Sequence, residues 1–458
     1  MRLRVALLGV VALLAGGSAR GQAANPADQR MDRFEQRLNE MEKKYQAELK
    51  ARDEEIARLR AQVEKQQQSQ ASAAGPTTKT SDIDIITQEI LKDVESRTPF
   101  TRPATVRTPA SFNPDLAVIG DWRGNIATHS DNPARNRLDL GSVELDLRAA
   151  VDPRADAVVI LPVSRDVEDP LFFDPAKANG EIDTSIDIEE AYLFLHDFGV
   201  ENLTAKLGRF HLRFGRWNQL HSHNWMTIDN AFPVQSFMGP EALEDSGVSL
   251  SYIVPPKLIG GEYVELVTEI ISGEGSDEAP VLNNDAFVQS PALNMHLLWN
   301  HDINKEWNME LGASWLWGKH NDKASEDAQL FGLDATLVHT DPTGRFNNQF
   351  FMAELFYGNV DTAPNQTQYA LGAYVLGQQQ LNRDWYVGTR LDWTQDALND
   401  RQEIWGVAPY VSWYWSEFLR LRLEYQHRDG DVQDEDILWF QANFTFGAHP
   451  PHPYWGMR

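Results

Sequence analysis

The chain of 458 residues contains no cysteine and few long apolar runs. Basic residues are also scarce relative to acidic ones. The absence of cysteine excludes disulfide frameworks, thiolate nucleophiles, Cys-ligated zinc, iron–sulfur clusters and a lipid anchor on an N-terminal cysteine. Lys and Arg number 41 against 67 Asp and Glu, giving a formal charge of −26. This charge argues against a nucleic-acid partner, because nucleic-acid-binding proteins present a basic face to phosphates.

Known catalytic motifs are also missing from the sequence. We find no Gly-x-Ser-x-Gly elbow, no His-Glu-x-x-His pair and no glycine-rich phosphate loop. We therefore expect that the protein is not an enzyme. No apolar stretch beyond the N-terminal segment reaches the about 18 residues that a membrane-spanning helix needs.

Residues 1–23 have the three parts of a secretory signal peptide. Arg2 and Arg4 are basic, residues 5–15 are apolar, and Gly21-Gln22-Ala23 forms a small-x-small cleavage site. The sequence therefore predicts export, with the mature chain starting after Ala23.

Residues 27–65 are predicted to form a periplasmic coiled coil. Apolar residues recur at alternating spacings of three and four, with one repeated four that is typical of a stutter. The first of them are Met31, Phe34, Leu38, Met41 and Tyr45. Self-association would cover this seam, although a solvated single helix or an intramolecular hairpin is the alternative. Residues 66–114 are predicted to be a linker with a short amphipathic helix.

The remainder, residues 115–447, alternates between apolar and polar residues over about 16 candidate strands. In residues 418–427, Leu421 and Leu423 take one face, whereas Arg422 and Glu424 take the other. An unpaired ion costs several kcal/mol in a dry core. In a transmembrane barrel the same ions face a wet interior and the apolar face meets lipid. We therefore predict an all-β fold, a transmembrane antiparallel β-barrel of about 16 strands, preceded by the coiled coil.

Two strands break the pattern. Pro409 lies inside a strand, where a closed barrel has no free edge, so we expect a bulge or a shifted strand boundary there. Ile186 and Ile188 are out of phase with Ala191, and a bulge near Glu189 would restore the alternation. The connections alternate between long acidic ones, expected outside the cell, and short ones, expected in the periplasm.

This architecture, with the phrases Val118-Ile119-Gly120-Asp121 and Leu207-Gly208-Arg209-Phe210, resembles bacterial outer-membrane porins, particularly the phosphate-selective porin superfamily. The resemblance implies a homotrimer of 16-stranded barrels in the outer membrane. It also implies a water-filled pore that the third external loop, about residues 213–245, constricts. Lipopolysaccharide and small solutes are the partners to expect.

Candidate pore-lining residues follow from strand polarity and from the third loop. They are Glu144, Asp146, Arg148, Lys206, Arg209, Arg213, Arg216, Arg390, Arg420, Arg422 and Glu424. The phosphate-selective members have a ladder of Arg and Lys. Acidic residues accompany the basic ones here, which weighs against phosphate selectivity.

His221 and His223 share a face of the third loop and, with an Asp, would suit a divalent metal such as zinc. A hydrogen-bonded constriction is the other interpretation of this pair. No cofactor beyond such a cation is expected. The sequence thus predicts diffusion of small hydrophilic solutes. A channel selective for a divalent metal or an anion is one alternative, and a structural barrel that tethers the outer membrane to the cell wall is the other. Residues 448–458 form a tail rich in His, Pro and aromatics.

Overall fold

The computed structural model describes residues 114–128, 132–166, 171–172, 183–196, 199–274, 280–282, 291–320, 326–363, 365–431 and 434–448. The predicted signal peptide, coiled coil, linker helix and C-terminal tail lie outside these residues, apart from Pro114 and Ala448. Within the described ranges, no helix has both the length and the apolar character needed to cross a membrane.

Strands dominate the described part of the chain. They are β1 Asp115–Ala127, β2 Leu138–Asp152, β3 Ala155–Asp166, β4 Asp183–Ile186, β5 Glu190–Leu195, β6 Leu203–His211, β7 Glu244–Ile253, β8 Tyr263–Ile271, β9 Ala292–Asp302, β10 Trp307–Lys319, β11 Asp327–His339, β12 Gln349–Ala363, β13 Gln366–Gln380, β14 Trp385–Asp396, β15 Asn399–Ser416, β16 Leu419–Gly430 and β17 Asp434–Gly447. Neighbours along the chain pair antiparallel, except that β4 and β5 both pair with β3, and β1 pairs with β17 from Ala117↔Gly447 to Ala127↔Ile437. The sheet is therefore a closed barrel.

β4 and β5 together form one crossing of the barrel. Both pair with β3, through Val163↔Ile186 on one side of residues 187–189 and Ile160↔Glu190 on the other. These two registers differ by one residue, so one extra residue is inserted between the two strands. The irregularity predicted near Glu189 is confirmed, and the barrel has 16 crossings, as the alternation predicts.

Pro409 behaves differently from the prediction. It pairs with Thr389 of β14, while on the β16 side the ladder lacks pairs between Val407↔His427 and Tyr410↔Glu424. The register is the same before and after this gap. The missing N–H therefore interrupts the ladder locally, and the bulge expected there is absent because a proline removes one donor without adding a residue.

The barrel has an inverted distribution of polarity. In β16, Leu423 and Tyr425 keep 41% and 42% of their surface exposed, whereas Arg422 and Glu424 are 5% and 0% exposed. The same alternation holds in β17, where Gln441 and Asn443 are buried between outward-facing neighbours. An apolar outer face with charged residues inside is typical of a barrel in lipid and unsuitable for a water-soluble one.

The longest connection joins β6 to β7 over residues 212–243 and is called the long loop below. It contains two 3-10 turns, Trp217–Gln219 and Ser222–Asn224, and the helix α1, Phe232–Met238. Pro233 suits the first turn of α1 because it needs no N–H donor there. Gly239 follows with a positive φ of 103°, which ends the helix. A third 3-10 turn, Pro256–Leu258, lies between β7 and β8.

Candidate channel interior

The long loop is bonded to inward-facing side chains of the barrel. At its start, Glu354 of β12 accepts hydrogen bonds from the backbone N–H groups of Arg216 (3.0 Å) and Trp217 (2.6 Å). The same carboxylate accepts a bond from the Tyr374 hydroxyl at 2.6 Å. Ser314 of β10 accepts another from the N–H of Gly215 at 2.9 Å. These bonds satisfy backbone donors that would otherwise be buried without partners.

Arg390 of β14 holds the middle of the loop and is fully buried. Its Nε donates to Asp392 at 2.7 Å and its Nη2 to Asp229 of the loop at 2.9 Å. Gln426 of β16 donates to the other oxygen of Asp229 at 2.6 Å. Asp392 in turn accepts the N–H of Phe232 at the start of α1, at 3.2 Å. A buried guanidinium is stable here because two carboxylates satisfy its charge.

β16 supplies a third anchor. Arg420 donates to the carbonyl oxygen of His223 at 2.9 Å, and Arg422 donates to that of Trp225 at 2.8 Å. Glu424 accepts the N–H of Ile228 at 2.9 Å. Three successive inward side chains of one strand thus bind the loop backbone.

Aromatic side chains of the loop pack directly against glycines of the barrel wall. Phe214, Phe232 and Phe237 are fully buried. A Cβ atom on Gly332, Gly406 or Gly358 would lie 2.5–2.6 Å from a ring carbon of one of these three residues, respectively. Phe237 and Phe356 also stack with ring centroids 5.9 Å apart. The wall therefore has glycine where the loop comes closest, because any side chain there would displace the aromatic rings.

The two histidines that the sequence singles out have different partners. His223 Nδ1 lies 2.9 Å from a Glu144 oxygen of β2. His221 Nδ1 lies 2.9 Å from Glu189, and its Nε2 lies 3.4 Å from Glu190. Burial lowers the pKa of His221, but the two carboxylates outweigh burial and hold this pKa well above its usual value. Although the two rings stack 5.6 Å apart, they serve separate carboxylates.

The predicted pore-lining residues fall into three groups. Arg390, Arg420, Arg422 and Glu424 face inward but are buried as anchors of the long loop. Glu144, Asp146, Arg148 and Lys206 face inward from β2 and β6, and Arg148 Nε donates to Asp146 at 2.8 Å. Arg213 and Arg216 belong to the loop and are partly exposed. Arg213 donates a hydrogen bond to Glu265 at 3.0 Å.

Arg209 is placed differently from the prediction. It lies on the opposite face of β6 from Lys206, shares that face with the exposed Leu207, and donates to Glu244 at 2.8 Å. Arg209 therefore does not point to the same surface as Lys206. Its ion pair with Glu244 places it at the long-loop end of β6.

Sequence reasoning placed Asp392 on the polar face of its strand and Asp229 in the third loop, but it did not predict that they hold the loop, and it missed Glu354. Glu354 shares its face of β12 with the apolar Met352 and Phe356, so no polar alternation marks it. One signal was available. Glycines at inward positions of β11, β12 and β15 indicate a wall that is closely approached from inside.

No family model matches the chain. An uncharacterized protein of Aquifex aeolicus is 24% identical over 368 residues, which cover 71% of this chain and 72% of that protein. Solved structures of outer-membrane porins are similar in fold to this chain. The channel DcaP of Acinetobacter baumannii has 13% identity, covering 75% of this chain and 100% of that chain, with a TM-score of 0.47. The anion-selective porin of Comamonas acidovorans has 10% identity, covering 73% and 100%, also with a TM-score of 0.47.

Proposed function

We propose that the protein is an outer-membrane channel through which small hydrophilic solutes or ions diffuse. The observation that carries this proposal is the closed barrel with an apolar outer face, charged inner residues and a loop bonded inside it. A barrel satisfies all its backbone groups between strands, so it is stable in lipid without a helix. The polar side chains inside replace part of a solute's hydration as it crosses.

The long loop is the constriction in this proposal. Its bonds reach β10, β12, β14 and β16, so it occupies space inside the barrel next to these strands. Arg213 and Arg216 are the loop cations that keep part of their surface. A solute that passes the loop meets these charges. Arg213 is paired with Glu265, so Arg216 is the arginine to which this proposal assigns the local positive potential, in spite of the net charge of −26.

The assembly and the surroundings of the channel belong to the same proposal. The homotrimer and the contact with lipopolysaccharide follow from the porin resemblance of the sequence. The export signal and the apolar outer face are consistent with an outer-membrane location, with the predicted coiled coil in the periplasm. Chemical cross-linking of detergent-purified protein would test the trimer, and a monomer under all detergents would contradict it.

Single-channel recording in planar bilayers, with a salt gradient, tests the channel and its constriction. We compare the wild type with Arg216→Glu and with the matched control Arg383→Glu, which makes the same charge change at an exposed position outside the long loop. We expect discrete steps of ionic conductance in all three proteins. The reversal potential should shift toward cation selectivity for Arg216→Glu only.

Two outcomes would overturn the proposal. A folded barrel that gives no conductance steps would contradict the channel itself. Equal reversal potentials for the wild type and Arg216→Glu would contradict the constriction while leaving the channel intact.

A further inference from the structure

A cluster of His and Glu side chains lies where the long loop leaves the barrel wall. His211 is the last residue of β6, His221 lies in the loop, and Glu189 lies in the break between β4 and β5. One ligand atom from each residue lies within 4.8 Å of the other two. The fold brings these residues together from three separate segments.

The distances within the cluster suit a shared cation. Glu189 Oε1 lies 3.0 Å from His211 Nε2 and 2.9 Å from His221 Nδ1. Ligands about 2.0–2.2 Å from a tetrahedral zinc ion are spaced by little more than these distances. A metal between the three atoms requires side-chain movements that widen these two spacings slightly and bring the imidazole nitrogens, which lie within 4.8 Å of each other, to the same ion.

The state of His211 is a second, independent observation. The residue is 5% exposed, and its Nδ1 has no hydrogen-bond partner among the described residues. Its Nε2 lies between two carboxylates, 3.0 Å from Glu189 and 3.6 Å from Glu244. Its Nε2 faces Glu189 at 3.0 Å, the position at which a metal ion would satisfy it.

The neighbouring carboxylates complete the surroundings. Glu244 Oε2 lies 3.6 Å from His211 Nε2, and its other oxygen accepts from Arg209. Glu190 lies 3.4 Å from the Nε2 of His221, the nitrogen that faces away from Glu189. A carboxylate on the outer nitrogen of a ligating histidine orients the ring and increases its basicity. Glu189 is 14% exposed and His221 is 16% exposed, so an ion can reach them from solvent.

We propose that Glu189, His211 and His221 bind a divalent transition metal of the zinc class, which fastens the root of the long loop to the barrel wall. Two neutral imidazoles and one carboxylate are a ligand set that zinc accepts, with a fourth position for water or Glu244. The ion therefore displaces the proton that the raised pKa of His221 keeps on its ring, and this proton is released to solvent. The site differs from the sequence-based pair, because His223 is bonded to Glu144 and is not a ligand. It is independent of what the channel conducts.

The test is zinc titration by calorimetry, with cobalt absorption as a second readout of coordination, on the full-length protein in detergent. The variants are His211→Ala, His221→Ala and Glu189→Gln. The matched control is His223→Ala, which removes an imidazole from the same loop. We expect one site per chain in the wild type and in His223→Ala. Affinity should fall at least tenfold in the three ligand variants, and tetrahedral cobalt bands should disappear.

Folding is checked for each variant by the shift in gel mobility between unheated and heated samples. Zinc should also raise the unfolding temperature of the wild type but not of His211→Ala, because only a protein that binds the ion is stabilised by it. Absence of zinc binding to the folded wild type would refute the site. If His223→Ala lost as much zinc affinity as the three ligand variants, the ligand assignment would be refuted. Neither result affects the conductance test of the channel.

Discussion

At the residue scale, buried ion pairs connect the long loop to the inner face of the barrel. Arg390 is the clearest case, since it is fully buried between Asp392 of its own strand and Asp229 of the long loop. The arginine is the central member of this set, because removing it leaves the buried Asp392 without its cationic partner.

Replacing Arg390 with Met should therefore leave Asp392 without its counterion, and Asp229 with only its longer contact to Arg428 at 3.4 Å. We expect destabilisation by about 3–5 kcal/mol. The long loop should also become more accessible, since it loses the bonds to Asp229. Thermal unfolding and chymotrypsin cleavage within residues 212–243 measure the two effects. Arg383→Met, at an exposed position, is the control, and equal cleavage of both variants would show that Arg390 does not hold the loop.

At the element scale, the long loop is a packed element with its own apolar contacts to the wall. Phe237 of α1 lies against Gly358 of β12, where a Cβ would be 2.6 Å from the ring. The helix is short and its N-cap residue, Ala231, offers no side-chain cap, so its position depends on these contacts and on Asp392, which accepts the N–H of Phe232.

Gly358→Val should displace α1 from the wall. Overpacking of this kind costs about 1–3 kcal/mol, and the loop can yield more easily than the barrel. Single-channel conductance should change together with chymotrypsin cleavage of the loop. Ala353→Val places the same valine side chain on the outward face of the same strand and should behave like the wild type. Unchanged conductance in Gly358→Val would mean that the position of α1 does not shape the pore.

The strands could be predicted from the sequence, whereas the contacts between the long loop and the barrel wall could not. Alternation is a local property, so it predicted the sixteen crossings, the inward charges of β16 and the irregularity near Glu189. The contacts of the loop are non-local. Glu354 lies more than a hundred positions beyond Arg216, and no local pattern relates them. The pairing of His221 with His211 was missed for a similar reason, since it depends on where β6 ends.

At the scale of the whole molecule, the proposal requires the outer face to meet lipid. Val375 lies near the middle of β13 and is 54% exposed, while its neighbours Tyr374 and Leu376 face inward and are buried. In water such a surface would favour aggregation, whereas in a bilayer it is solvated by acyl chains.

Val375→Arg should therefore reduce the stability of the barrel in lipid vesicles by about 2–4 kcal/mol, the cost of a cation near the bilayer midplane. The control Gln366→Arg introduces the same charge at the exposed start of β13, where water is available. Urea titration in vesicles, followed by tryptophan fluorescence, compares the two variants with the wild type. In detergent-free buffer no folded form of any of them should persist. If both variants lose the same stability, or if Val375→Arg loses none, the face that carries Val375 does not contact lipid, and the transmembrane arrangement of the barrel would have to be abandoned.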